Sequence, residues 1–205
     1  MNAMDVDDTG ISAAHHRLRR DASAVNRMFL EAMRDSAEAF SGSGCIGLSD
    51  EICRGISQLS DEARDVLAQV SAPLVVLVAP DRDANTSILE LSGPLAARWG
   101  AIAAAVAAYS RNGIHYRGQA MRLTLGSRCE CEWRMSEQDL AAVLGNEFAG
   151  VNGLRSRYRD SEWQALLKGA SEGGEAGVSA RNYASQVLMG SRGCPGCPRG
   201  QRPRG

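Results

Sequence analysis

Between positions 11 and 40, apolar residues recur at spacings of three, four and seven: Leu18, Val25, Met28, Phe29, Ala32, Met33, Ala37 and, at the end, Phe40. That spacing lays a stripe along one face of a helix. Arg19, Arg20, Arg27, Glu31, Arg34 and Asp35 fall largely outside it. Ser41-Gly42-Ser43-Gly44 predicts the stop, because paired serines and glycines disfavour continuation. Ser49 then reads as an N-cap, with Asp50 and Glu51 in the first turn where the helix dipole favours acids, and Ile52, Cys53 and Ile56 turned inward. Ser60 repeats the device ahead of Asp61 and Glu62, with Ala63, Val66, Leu67 and Val70 as the apolar face and Pro73 as the close.

The period changes at residues 74–79, Leu-Val-Val-Leu-Val-Ala, a β-branched run ended by Pro80 that predicts a buried strand. Residues 88–91 are a candidate second strand pairing with it. Residues 94–109 are nearly all Ala, with Trp99, Ile102 and Val106, and predict a helix stopped by Asn112-Gly113. Alternation in 122–125 and 129–133 around Gly126-Ser127 suggests a hairpin. Residues 136–144 read as a capped helix ended by Gly145, and 154–167 as another helix. Glycine and serine dominate from Ala170, then Pro and Arg, which predicts a flexible tail over 170–205. The acidic start, residues 1–10, predicts a disordered tail.

Composition narrows the class. Aromatic residues make up 5% of the chain while Ala-rich apolar stretches are frequent. That balance favours helices packed through small side chains over a sandwich or barrel. No run approaches the roughly 18 apolar residues of a membrane span, and the N-terminus lacks the charged start and apolar core of a secretion signal, so a cytoplasmic protein is expected. The net charge of −1 hides an asymmetry. Residues 1–110 hold 9 Arg against 15 acids, and residues 111–205 hold 13 Arg and Lys168 against 9 acids. An acidic half beside a basic half suits a protein-interaction face joined to a nucleic-acid face, and it also arises by chance in a short chain.

Two segments carry a resemblance. Asn26-Arg27-Met28-Phe29-Leu30 resembles an Asn-x-x-aromatic-Leu pattern, and Gly47-Leu48-Ser49-Asp50-Glu51 a Gly-Leu/Ile-Ser-Glu-Glu pattern, in the D subunit of the flagellar master transcription activator. Ile52, Ile56, Leu59, Ser60 and Leu67-Ala68 continue in the register of that family's apolar positions. The resemblance covers roughly residues 20–80, about a third of the chain. It implies a helical, non-enzymatic bacterial subunit that dimerises and joins a C-type partner on flagellar promoters.

Candidate chemistry is sparse. Residues 135–145 resemble the first helix and turn glycine of a helix-turn-helix, where a small Ala lets two helices approach. On the helix expected to follow, Arg155, Arg157 and Arg159 could reach phosphates or guanines, and a solvated arginine cluster accounts for the same residues. Cys194-Pro195-Gly196-Cys197 has the shape of a zinc knuckle to which Cys129 and Cys131 could add two thiolates, although the unusual Cys-x-Cys spacing and the Pro/Gly/Arg setting of the distal pair favour unliganded cysteines. His15, His16 and His115 form no motif, and no nucleophile, phosphate loop or acid–base pair has a recognisable spacing.

These readings combine into a mainly α protein: a helical N-terminal dimer or partner-interface region over 11–92, a mixed α/β second region over 93–169 with the candidate helix-turn-helix, and the tail. The expected function is transcription regulation, acting on DNA through Arg155, Arg157 and Arg159 with a partner subunit and without catalysis or a cofactor. A protein-only adaptor and a zinc-stabilised binding module are the alternatives.

Overall fold

The computed structural model describes residues 8–36, 45–77, 93–115 and 153–189. Helix α1 (Asp8–Asp35) turns Leu18, Ala22, Val25, Phe29, Leu30, Ala32 and Met33 into the core, so its 3.6-residue apolar stripe is the packing face. A single 3-10 turn (Cys45–Gly47) follows, in which Ile46 sits at φ 53° with its side chain buried. The left-handed region is costly for a β-branched residue, and burial of the Ile46 side chain offsets that cost.

Helices α2 (Asp50–Ser57) and α3 (Asp61–Ala68) start where their serines predict. The Ser49 and Ser60 hydroxyls accept hydrogen bonds from Ile52 N and Ala63 N, satisfying donors that the first turn of a helix leaves without partners. Strand β1 (Val75–Leu77) follows, then helix α4 (Gly93–His115), strand β2 (Leu154–Ser156), and helices α5 (Asp160–Glu172) and α6 (Gly174–Met189). Helix α4 continues through Asn112-Gly113, past the stop expected there.

The fold is therefore mainly helical, with one small antiparallel two-stranded sheet. Val75 pairs with Ser156, Val76 with Arg155 and Leu77 with Leu154. The candidate partner strand at 88–91 lies outside the described residues, as do the 122–133 hairpin, the 136–144 helix and all four candidate zinc cysteines. Three corrections follow. Residues 154–159 are not helical: Leu154–Ser156 form β2, and α5 begins only at Asp160. Buried Leu154, half-buried Arg155 and buried Ser156 show the two-residue period of a strand, but three residues are too few to declare it locally. Residues 170–189 are not a tail: α5 runs to Glu172 and α6 fills Gly174–Met189. Nor does the sheet respect a boundary near residue 92, since one strand comes from each side of it.

One apolar core joins these elements, running from Val25 on α1 to Ala184 on α6. Helix α1 lies against α2, α3 and α4, while α5 lies against α6, α3 and α2. At its centre Phe29 meets Trp99 edge-on (6.1 Å between centroids, 77°) and Trp163 at a tilt (6.3 Å, 44°), and Trp163 meets Tyr158 edge-on. Both indoles are anchored by serines. Trp99 Nε1 donates to Ser36 Oγ at 3.0 Å, and Trp163 Nε1 to Ser156 Oγ at 2.7 Å.

Small residues let α5 and α6 approach closely, which is why a glycine-rich segment is ordered against the core. A Cβ added at Gly169 would stand 2.8 Å from Ala180 Cβ and 3.0 Å from the Ala176 carbonyl oxygen. Gly169→Ala should therefore force the two helices apart and cost about 1–3 kcal/mol, even though Ala is the better helix former. Urea unfolding followed by circular dichroism checks this, and a midpoint equal to or above that of the parent would refute the close approach.

Candidate functional site

The three arginines expected to act together have separate environments. Arg157 is only 7% exposed, and its Nε donates to the Pro73 carbonyl at 2.6 Å. Its backbone N–H donates to the Leu74 carbonyl at 2.9 Å, extending the pairing just beyond the sheet register. This cation holds the loop between α3 and β1 and does not face outward. Arg155 is half-buried on β2, with Nη1 donating to the Leu154 carbonyl at 2.8 Å. Its stem lies over Gly47, where an added Cβ would stand 3.6 Å from Arg155 Cδ. Arg159 alone is exposed, at the N-cap position of α5, where its backbone N–H donates to Glu162 Oε2 at 2.7 Å. Without the expected helix, no common outward row of arginines forms.

The same loop is also held by Asn26. This asparagine is 0% exposed, and its Nδ2 donates to the carbonyls of Ala72 at 3.1 Å, Val70 at 3.2 Å and Ala68 at 3.5 Å. Its Oδ1 accepts from Leu74 N at 2.7 Å. Both polar atoms of the amide are used against backbone groups that neither helix nor sheet serves, which offsets the desolvation cost of burying them. Asn26 stood in the sequence only as part of a resemblance. Its one local signal is a polar residue beside the apolar stripe.

Charged groups collect in two places along α1 among the described residues. Towards its C-terminus, a shallow cleft of about 220 Å³ between α1 and α3 is lined by Arg27, Leu30, Glu31, Arg34, Asp61, Arg64 and Asp65. Its charges largely neutralise one another. Arg27 pairs with Asp65 at 3.0 Å, Arg64 with Asp61, and Arg34 with Asp35, which also meets Arg98 of α4. Hydrogen bonding from Arg34 and then from Arg98 holds the Asp35 carboxyl below its ordinary range, and Arg64 does the same to Asp61. Groups depressed in this way contribute stability above the unfolded carboxylate pKa, and lose it as pH falls through the lower folded value. Exposure and screening keep that contribution small.

Towards the N-terminus the pattern differs. Arg17, Arg19 and Arg20 are all exposed within one turn of α1, and none makes an ion pair or hydrogen bond with the described residues. The buried Cys53 thiol is pushed up to about 11, first by burial and then by Asp50 and Asp160, so it stays protonated and poorly nucleophilic at neutral pH. Among the described residues no group of three or more His, Cys, Asp or Glu side chains is placed to hold a metal ion. No helix among them is long and apolar enough to cross a membrane.

No family model, curated protein or solved structure matches the chain.

Proposed function

We propose that this chain is a bacterial transcription regulator resembling the D subunit of the flagellar activator, dimeric and acting on promoter DNA together with a C-type partner subunit. One observation supports the reading most. The apolar residues that carry the resemblance, which are scattered over three helices, meet in a single core. Phe29 and Leu30 come from α1, Leu48, Ile52 and Ile56 from the start and body of α2, and Leu59, Leu67 and Ala68 from around α3. Asn26 adds the hydrogen bonds that tie α1 to the end of α3.

The test is fluorescence anisotropy on flagellar-promoter and scrambled duplexes at two salt concentrations, with and without the C-type partner. Tighter promoter binding in the partner's presence, weakening steeply with salt, is the expected result. A chain that neither joins that partner nor changes its DNA affinity is not such a subunit. The buried guanidinium of Arg157 and the half-buried Arg155 favour one second reading, a protein-only adaptor that keeps the helical interface without touching DNA. It predicts partner binding with DNA affinity unchanged at every salt concentration.

A further inference from the structure

We infer that the arginines on the outer turn of α1, Arg17, Arg19 and Arg20, form a contact surface for the phosphate backbone of duplex DNA. The inference rests on the DNA-binding reading above and moves the contact to a part of the chain that neither the resemblance nor the candidate helix-turn-helix assigned.

Three observations carry it. First, the three guanidinium groups are exposed and make no ion pair or hydrogen bond with the described residues, unlike Arg27, Arg34, Arg64 and Arg98, each of which has a carboxylate partner. Concentrating like charges within one helical turn is unfavourable by itself, so an external polyanion would relieve it. The nearest acid along the helix is Asp21, which is half-buried. Second, the cations are all Arg, whose planar fork matches phosphate oxygens bidentately. Third, among the described residues the patch carries no exposed large apolar side chain. Leu18 within it is 0% exposed, so among the described residues nothing there would enter a bilayer or fill an apolar pocket on a protein. A dense, purely polar set of arginines suits a regular array of phosphates better than a membrane or a mixed protein surface.

The test uses the full-length chain and a mixed-sequence 30-base-pair duplex, with anisotropy read from 50 to 200 mM salt. The parent is compared with R17Q/R19Q/R20Q and with R155Q/R159Q, and thermal unfolding of each establishes that it is folded. Neutralising about three phosphates contributes a slope of about −2.7 to the dependence of log affinity on log salt, which amounts to roughly 40-fold across this range. The triple variant should lose that component, while R155Q/R159Q keeps most of the parent slope. Parent binding that the triple variant retains with an unchanged slope overturns the α1 surface and leaves the DNA reading standing. Absence of salt-sensitive duplex binding by the parent overturns both. Binding by the parent to an acidic polyglutamate peptide but not to the duplex overturns the choice of DNA, and points to a protein partner.

Discussion

Replacing Asn26 by Leu should lower the stability of the protein by about 3–5 kcal/mol, the largest effect expected of any polar substitution in the described residues. Leucine has the same branched shape, though it is bulkier, and suits an apolar core, so a ranking by hydrophobicity alone would expect no loss. The hydrogen-bond inventory decides otherwise. Leucine would leave the Val70 and Ala72 carbonyls and the Leu74 N–H without the amide that now serves them, and it would fill the space a water needs to replace it. Each buried backbone group left without a partner costs about 1–3 kcal/mol, well above what a leucine methyl gains by burial. Asn26→Asp separates geometry from chemistry. Its carboxylate would still accept from Leu74 N but would face the carbonyls that now receive the amide protons. The carboxyl pKa should therefore be raised, and the variant should be most stable at low pH and weaken as pH rises through that value. Urea unfolding at pH 5 and pH 8 distinguishes the cases. A loss under about 1 kcal/mol for Asn26→Leu would mean that the loop between α3 and β1 does not depend on this amide.

Phe29→Ala should cost about 3–5 kcal/mol by a different route, the opening of a cavity at the meeting point of α1, α4 and α5. The ring is fully buried between Trp99 and Trp163, so its removal forfeits contacts with both indoles as well as its own transfer energy. Phe29→Leu keeps most of the volume and should cost less. Tryptophan fluorescence gives a local readout, because Trp99 and Trp163 line the cavity. The Ala variant should show a shifted native emission together with its lower urea midpoint. An unchanged midpoint would place the centre of the core elsewhere.

The arginines at 155, 157 and 159 show how a charge pattern misleads when the element beneath it is misjudged. Read as a helix, residues 154–167 turn an alternating set of arginines into a candidate contact surface. On the strand and turn that the chain adopts, the same residues part company: Arg155 is half-buried, Arg157 is drawn in to the Pro73 carbonyl, and Arg159 stands outside at a helix start. Of the α1 arginines, Arg19 and Arg20 were legible as polar positions off an apolar stripe. Their distinction from Arg27 and Arg34 was not, because it depends on Asp65 and on the Asp35–Arg98 contact, groups that lie remote in sequence or are shared with another helix.

What the sequence determined by itself is local. The stripe from Leu18 to Met33 set the buried face of α1, and Ser49 and Ser60 with the acids after them set where α2 and α3 begin. The β-branched run marked β1, and Trp99, Ile102 and Val106 marked the inner face of α4. Each of these depends on periodicity or capping within a few residues, where backbone geometry alone links the positions. Tertiary structure decided the rest. Strand β2 exists because β1 offers hydrogen-bonding groups to a segment some eighty residues later, and three residues have no intrinsic reason to be a strand without that partner. Helix α6 is held where Gly169 and Gly177 allow close approach, although their composition alone suggested a tail. Asn26 became structural only once the loop between α3 and β1 lay against α1. Local pattern states which face of an element is apolar, but the segment that covers that face, and the backbone groups left over to be satisfied, are fixed only when the chain closes on itself.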